Sequence, residues 1–303
     1  MKKKRNRGPI IETVSAVLWA GSLALVIRSF VFEPFHIPSD SMIPSLLVGD
    51  HLFVSKFSYG YSRQSFPFSP PVIKDRVLDR APGRGDVVVF KKISPPAENY
   101  IKRLVGLPGD RIRMKRGRLY INGEAAPREF VGKYYILNLP DDARSQKSMQ
   151  IMLPGGDRLE LEGRTRVSIN GAPLPPGSFS VYYKRARDLR PEPVERLRYV
   201  ETLPNGVKHD ILEISDSEGK DEPDRRFDDT PEYLVPEGHY FMMGDNRDIS
   251  QDSRFSDVGF VAARDLIGRA KFIFYSHDGS AGFFEFWRWL FSVRYGRLLK
   301  GVE

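Results

Sequence analysis

The chain has 303 residues, no cysteine and a formal net charge of +8. The absence of cysteine excludes disulfides, thiolate nucleophiles and cysteine-ligated metals. The 47 basic residues are scattered among 39 acidic ones, without zinc-finger spacing or an aromatic–basic stripe, so we expect no nucleic-acid partner. The length is sufficient for two domains, or for one core with a large insertion.

The N-terminal region combines a basic stretch with an apolar run. Five Lys or Arg fall in the first seven residues, and the fifteen residues Thr13–Ile27 are uncharged. Because Arg28 can snorkel toward the interface, residues 13–32 predict a transmembrane anchor. A cleavable signal peptide is the alternative, but no small-x-small cleavage site follows the run. The positive-inside rule places residues 1–12 in the cytoplasm and the chain from Glu33 onward outside it.

Beyond the anchor, the chain is rich in strand-like segments that are bounded by Gly, Pro and Asp. Six segments combine Val, Ile, Phe and Tyr in this way: DHLFVSKF, GDVVVFKK, NYIKRLVG, RIRMKRGRLYING, HYFMMGD and RAKFIFYS. Asn-Gly pairs at Asn122, Asn170 and Asn205 predict hairpin turns. These segments indicate a mostly β protein.

Composition also suggests how the β segments are divided. Residues 33–112 and 237–282 predict one core, and the more polar region 113–236 predicts an inserted β domain. Residues 283–303 concentrate Phe, Trp and Arg. This C-terminal segment is either a membrane-interfacial segment or a terminal helix packed on the core.

Closely spaced serines follow the anchor in the stretch HIPSDSMIPSLLVGD. If Pro38–Met42 is extended, the side chains of Ser39 and Ser41 share one face and Asp40 points away. Two hydroxyls on one face suit a nucleophile and an oxyanion donor. A turn-rich linker is the alternative, since serine and proline are ordinary loop residues.

Lys102, in the segment NYIKRLVG, is a candidate general base. Strand alternation puts it on one face with Tyr100 and Leu104, so that it can point into an apolar site. A lysine acting as a base must be neutral, which requires its pKa to fall from about 10.4 toward about 7–8. Burial has this effect, whereas a solvated strand lysine keeps its charge, so the pattern alone leaves both possibilities open.

The sequence gives little support to a metal site or to a catalytic histidine. In MGDNRDISQDSRFSDVGFV, polar residues alternate much as calcium-loop ligands do, but Gln251 replaces the required glycine and Asp257 the terminal glutamate. The five histidines form no zinc motif, and no G-x-S-x-G elbow accompanies any serine. We therefore expect no metal and no cofactor, although sequence order alone leaves a Ser-His-Asp triad open.

Four segments, in this order behind the apolar run, resemble those of bacterial type I signal peptidases: PSDSMIPSLLVGD, RGDVVVF, YIKRLVGLPGD and GDNRDISQDSRFSDVGFV. The resemblance implies that Ser41 is the nucleophile and Lys102 the general base. It further implies that Ser39 supplies an oxyanion-hole hydroxyl and that Ser250 orients Lys102. The structural charges that it implies near the site are Arg103, Asp245, Asp252 and Arg254.

The resemblance also implies a fold and a function. The fold is mostly β, with coiled antiparallel, barrel-like sheets, an inserted β domain and one transmembrane helix. The function is removal of signal peptides from secreted preproteins after a small-x-small site, on the extracytoplasmic side of the bacterial cytoplasmic membrane. Signal peptides and the lipid bilayer are the implied partners.

Two alternatives and two departures accompany this interpretation. A related Ser-Lys protease with another exported or self substrate would share the catalytic residues, and a membrane-tethered β scaffold would have no activity. Ile249 replaces the asparagine that is usual before Ser250, and Ser45 replaces the usual threonine after Ser41. Both departures fall at supporting positions.

Overall fold

The computed structural model describes residues 9–66, 69, 76–92, 94–95, 97–140, 148–153, 156–163, 166–184, 193–214, 227–281 and 285–302. Most of the basic N-terminal stretch, residues 1–8, therefore lies outside the described residues.

The first element is a long apolar helix, α1 (Pro9–Phe30). Residues 10–30 are long and apolar enough to cross a membrane, and none of the apolar stretch is buried against the rest of the protein. A helix that is apolar around its whole circumference requires nonpolar surroundings. The helix ends at Phe30 and not at Phe32, because Phe32 already begins the first β-strand.

The rest of the described chain is mostly β. In chain order the strands are β1 (Phe32–His36), β2 (Asp50–Ser55), β3 (Val87–Lys92), β4 (Glu98–Gly106), β5 (Arg111–Lys115), β6 (Arg118–Ile121), β7 (Glu124–Ala125), β8 (Arg128–Pro140), β9 (Ser148–Met152), β10 (Arg158–Glu162), β11 (Arg166–Ile169), β12 (Ala172–Pro173), β13 (Phe179–Lys184), β14 (Pro193–Thr202), β15 (Lys208–Glu213), β16 (Tyr233–Leu234), β17 (His239–Met243), β18 (Val261–Ala262) and β19 (Leu266–Ser276). The second helix is α2 (Phe286–Ser292), and one-turn 3₁₀ helices span Asp40–Met42, Arg63–Ser65, Ala263–Asp265 and Tyr295–Arg297.

The largest sheet has seven strands in the order β1-β2-β19-β3-β4-β17-β18. Its long strand β19 shifts register repeatedly against β2 and β3, and such bulges increase the local bend of a sheet. Gly268 permits the tight contact, because a Cβ there would lie 2.4 Å from the Ser55 carbonyl oxygen. The sheet is curled, as predicted, and β1 and β4 line the same groove although three strands separate them.

The core of this sheet reaches the segment that carries the candidate nucleophile. Met42 and Leu46 are fully buried in one apolar cluster with Leu52, Val54 and Ile273. Burial of such side chains contributes about 1.5–3 kcal/mol each, so the chain is fixed immediately after Ser41.

Three smaller sheets follow the order β16-β5-β6-β7, β13-β8-β14-β15 and β12-β11-β10-β9. The first of them shares an apolar cluster with β4 and β17, through Ile112, Val105 and Phe241. The predicted limit at residue 113 falls inside β5, so this sheet extends across it. The division into core and insertion stays a prediction.

The C-terminal segment combines features of both alternatives. Residues that follow α2 pack on the core: Val302 is buried, and Gly301 forms a bridge with Phe272. In α2 itself, large apolar side chains remain exposed: Phe286, Trp287, Leu290 and Phe291.

Arg297 joins the C-terminal segment to the large sheet. Its guanidinium binds both carboxylate oxygens of Asp50, with Nε 2.9 Å from Oδ1, and donates to the Ser45 carbonyl oxygen at 3.0 Å. Asp50 is fully buried and also accepts hydrogen bonds from the Leu47 N–H and the Ser276 hydroxyl. The ion pair therefore holds the loop after Ser41 against the end of the chain.

We expect Arg297→Ala to destabilise the fold strongly, because it leaves the buried Asp50 carboxylate without its cation. Removing one partner of a buried ion pair costs about 3–5 kcal/mol. Urea unfolding of the detergent-solubilised protein measures the change. The control is Arg288→Ala, whose more exposed pair with Glu285 should contribute less than about 1 kcal/mol. Equal unfolding midpoints for the two variants would contradict the assignment.

Candidate active site

The candidate nucleophile lies in a tight turn. Ser39 is extended, with φ −127° and ψ 158°, but Asp40–Met42 form a 3₁₀ turn closed by the Ile43 N–H, which donates to the Asp40 carbonyl at 3.1 Å. The predicted extended conformation of Pro38–Met42 is therefore wrong from Asp40 onward, because burial of Met42 and this hydrogen bond turn the chain. The Ser39 and Ser41 hydroxyls nevertheless lie 3.3 Å apart.

Lys102 lies on β4, directly beside this turn. Its Nζ is 2.6 Å from the Ser41 Oγ, and the lysine is only 4% exposed. Burial lowers the pKa of Lys102 to about 8, against the opposing charges of Asp252 and Asp245. The prediction that Lys102 leaves water is thus met by the geometry, and the amine sits where it can exchange a proton with Ser41.

Two buried ion pairs surround the lysine. Arg103 donates through Nε and Nη2 to the two carboxylate oxygens of Asp245, each at 2.8 Å. Arg254 binds Asp252 with the same bidentate geometry, at 2.9 Å for both contacts. Burial alone raises the pKa of both carboxyls, but the adjacent guanidiniums outweigh it and lower both values. The aspartates therefore stay charged close to Lys102.

Ser250 lies in the same region but does not make the expected hydrogen bond. Its Oγ is buried and has no hydrogen-bond partner among the described residues. A Cβ on Gly244 would lie 2.1 Å from this oxygen and 2.5 Å from the Ser41 carbonyl oxygen, so only glycine fits between the two serines. An orienting role of Ser250 on Lys102 stays a prediction.

Asn246 is a contact of Ser41 that the sequence did not reveal. Its backbone N–H donates to the Ser41 carbonyl at 3.1 Å, and its Nδ2 donates to the Asp40 carbonyl at 3.2 Å. These two hydrogen bonds hold the 3₁₀ turn in place, because each is accepted by one of its backbone carbonyls. The signal was present as the asparagine in GDNRD, but its side-chain partner lies 206 residues away in the sequence.

The strand β15 supports the segment that contains Asn246. The Leu212 N–H donates to the Asp245 carbonyl, and the Arg247 N–H donates to the Leu212 carbonyl, both at 2.9 Å. Arg247 also binds the buried Glu201 of β14, with one contact at 3.0 Å. A sheet of the predicted insertion thus holds one wall of the site.

The two departures from the family pattern have different surroundings. The Ser45 hydroxyl accepts a hydrogen bond from Arg103 Nη2 at 3.3 Å, so the supporting hydroxyl is retained. Ile249 is 44% exposed and lines the groove beside the site.

A groove of about 330 Å³ opens at Ser41 and Lys102. One wall is the stretch Phe35–Pro38, which continues the edge strand β1, and the other is the first half of β4. Residues Glu98–Lys102 pair with β3 only, because β17 pairs with β4 from Arg103 onward. Both walls therefore present strand edges that are unpaired in the described part of the chain.

The contacts of Ser41 bear on the two alternative chemistries, a histidine triad and a metal site. The side-chain hydrogen bonds of the Ser41 hydroxyl run to Lys102 and Ser39, not to a histidine. Within the described ranges, no group of three or more histidines or carboxylates is arranged to hold a metal ion. The expectation that no metal or cofactor takes part stays a prediction.

Comparison with known proteins identifies the family. The sequence profile described as "Signal peptidase, peptidase S26" matches residues 10–153 and 150–275. Signal peptidase I of Rickettsia typhi is 33% identical over 291 residues, covering 92% of this chain and 89% of that protein. Signal peptidase I of Rickettsia rickettsii is 33% identical over 256 residues, covering 84% and 75%.

A solved structure was also found among the matches, that of a signal peptidase I from Enterococcus faecalis V583. It covers 63% of this chain and 97% of its own, with 20% identity and a TM-score of 0.26. The family profile and the two Rickettsia relatives span nearly the whole chain. The chain therefore belongs to the peptidase S26 family of signal peptidases and is a serine peptidase.

Proposed function

We propose that this peptidase removes signal peptides from secreted preproteins, with Ser41 as nucleophile and Lys102 as general base. The observation that carries the proposal is the 2.6 Å contact between the Ser41 Oγ and the buried Lys102 Nζ. Family membership and the groove beside this pair support the same assignment.

The neutral amine begins the reaction. Lys102 takes the proton of the Ser41 hydroxyl while the Oγ attacks the scissile carbonyl carbon, and the tetrahedral intermediate forms. The resulting ammonium then protonates the leaving amine, the C–N bond breaks, and an ester remains on Ser41. Lys102, neutral again, deprotonates a water that attacks the ester carbonyl carbon, and the resulting ammonium returns the proton to the Ser41 Oγ as the acyl C–O bond breaks. Protons and bonds balance with the lysine alone.

The Ser39 hydroxyl is the candidate oxyanion donor. It lies 3.3 Å from the Ser41 Oγ, and Ser39 itself is exposed and so open to a substrate. Together with the Ser41 backbone N–H, it would stabilise the negative charge that develops on the carbonyl oxygen.

The groove suits an extended peptide. A substrate strand between the two unpaired edges would gain backbone hydrogen bonds on both sides, as in β-strand addition. Near Ser41 the lining is apolar and includes Ile37, Val89 and Ile101. Shallow pockets between such walls would admit only small side chains at the −1 and −3 positions, which is the small-x-small pattern of signal-peptide cleavage sites.

The anchor would bring substrate and site together. α1 leads directly into β1, and the nine residues Glu33–Ser41 span at most ~30 Å. With α1 in the bacterial cytoplasmic membrane, Ser41 would lie close to the extracytoplasmic surface of that membrane. The cleavage site of a membrane-held signal peptide emerges at the same surface. The basic N-terminus then lies in the cytoplasm.

A related Ser-Lys protease with another exported or self substrate is the second candidate, because it would share every residue of the site. Cleavage of a purified preprotein, with sequencing of the new N-terminus, distinguishes the two. A product that begins after a small-x-small site supports the proposal, and an uncleaved preprotein contradicts it.

We expect Ser41→Ala to abolish signal-peptide cleavage without loss of folding, because it removes only the nucleophilic oxygen from a short side chain. Ser39→Ala should be milder and lower kcat by roughly 10²–10³, the usual effect of losing one oxyanion donor. Single-turnover cleavage of a preprotein measures both, with circular dichroism as the folding control. Near-normal cleavage by Ser41→Ala would refute the nucleophile.

The kcat/KM of the free enzyme should follow the neutral form of Lys102. Because the Lys102 pKa is lowered to about 8, we expect activity to rise with pH through that value and to be lost as the amine is protonated below it. Lys102→Arg should be inactive at every pH, since guanidinium stays charged. A peptide assay from about pH 6 to about pH 10, with chelator present throughout, tests this.

Lys92→Arg is the matched control, because Lys92 lies as close to the Tyr100 ring as Lys102 does, at 5.4 Å, without touching Ser41. The kcat/KM of this variant should still rise with pH, around the same pH as in the wild type. Activity in Lys102→Arg, a rise near about 6.5 typical of histidine, or chelator-sensitive activity that metal restores would each overturn the mechanism.

On topology, protease added to intact spheroplasts should digest the domain that follows α1 and leave a tag at the N-terminus intact. After lysis the tag should be lost as well. Protection of the large domain in intact spheroplasts, with digestion only after lysis, is the outcome that contradicts the orientation.

A further inference from the structure

The groove carries one carboxylate at the end remote from Ser41. Glu98 begins β4, is exposed, and lines the same groove as Phe35 and His36. Among the described groove-lining residues it is the only acidic one. Its carboxylate forms no ion pair or hydrogen bond with another described residue, so its charge is not compensated within the described part of the protein.

The nearest cation by strand pairing is already engaged. Lys92 is the partner of Glu98 across β3 and β4, but its Nζ binds Asp257 at 3.1 Å. Asp257 also accepts from Gln251, whose Oε1 in turn accepts from the Tyr100 hydroxyl at 3.1 Å. This network holds the wall next to Glu98 and leaves the Glu98 carboxylate facing the groove.

Strand geometry relates Glu98 to a position in the substrate. Glu98, Tyr100 and Lys102 lie on one face of β4, because every second residue of a strand points the same way. Glu98 and Lys102 are four residues apart, which at a rise of about 3.3 Å per residue corresponds to about 13 Å. A substrate strand alongside has the same rise. With its scissile carbonyl at Ser41, the residue five positions before the cleaved bond, position −5, comes closest to Glu98.

We propose that Glu98 determines a charge preference at position −5 of the substrate, favouring a basic side chain and disfavouring an acidic one. The inference rests on the proposed function, because it takes the groove to hold the residues before the cleaved bond. The contact is solvent-exposed, so its effect is modest and depends on salt.

The experiment uses one preprotein-derived peptide with Lys, Gln or Glu at position −5 and, in parallel series, at −4, −6 and −7. For the wild type, we expect kcat/KM to be about threefold to tenfold higher with Lys than with Glu at low ionic strength, with the largest ratio at −5. In about 1 M salt, where the Debye length is about 3 Å, the ratio should approach one.

Charge variants connect the preference to this residue. Glu98→Gln should bring the Lys-to-Glu ratio close to one, and Glu98→Lys should invert it. The control is Glu129→Gln, which removes an exposed carboxylate on β8 outside the groove and should keep the wild-type ratio.

The possible outcomes distinguish the role of Glu98 from the proposed function of the peptidase. A ratio that is the same in wild type and Glu98→Gln, or that persists in high salt, overturns the role of Glu98 while cleavage itself still supports the proposed function. Failure of the wild type to cleave any peptide of the series, together with an uncleaved preprotein, overturns both.

Discussion

The removal of one lysine from water is the constraint on which the rest of the site depends. As the proposed general base, Lys102 has to be buried, because an ammonium cannot accept the proton of a serine, and burial of a cation is unfavourable. The protein keeps two aspartates nearby but binds each to its own arginine, so that neither pairs directly with the lysine. Lys102 is thus held close to neutrality without becoming an inert ion pair.

This arrangement requires four parts of the chain that are distant in sequence. The loop after β1 carries Ser41, β4 carries Lys102, and the segment after β17 supplies Asn246 behind them. The fourth part belongs to the predicted insertion, since β15 pairs with that segment. Curling of the large sheet lets β1 and β4 face one another. The sheet that contains β15 therefore supports the geometry around Ser41 and Lys102.

Much of this could be predicted from sequence, and the failures have physical reasons. The strand-like composition of NYIKRLVG placed Lys102 correctly on β4, but β4 is buried on both faces from Lys102 onward, which alternation alone did not predict. Strand alternation failed at Asp40–Met42, because a long-range apolar contact through Met42 bends that segment. The partners of Asn246 and Arg297 lie more than 200 residues away, and no local pattern encodes them. The sequence also did not predict that the Ser250 Oγ is buried beside Gly244 without a hydrogen-bond partner among the described residues.

The ion pair between Arg297 and Asp50 also has a consequence for the order in which parts of the protein fold. The two residues are 247 positions apart, and the same guanidinium binds the Ser45 carbonyl, four residues after Ser41. A ribosome therefore has to add most of the chain before this loop can reach its final shape. Contacts of such high sequence separation form late and slow the folding of β proteins. The loop that carries Ser41 would reach its final shape only long after α1 has been synthesised.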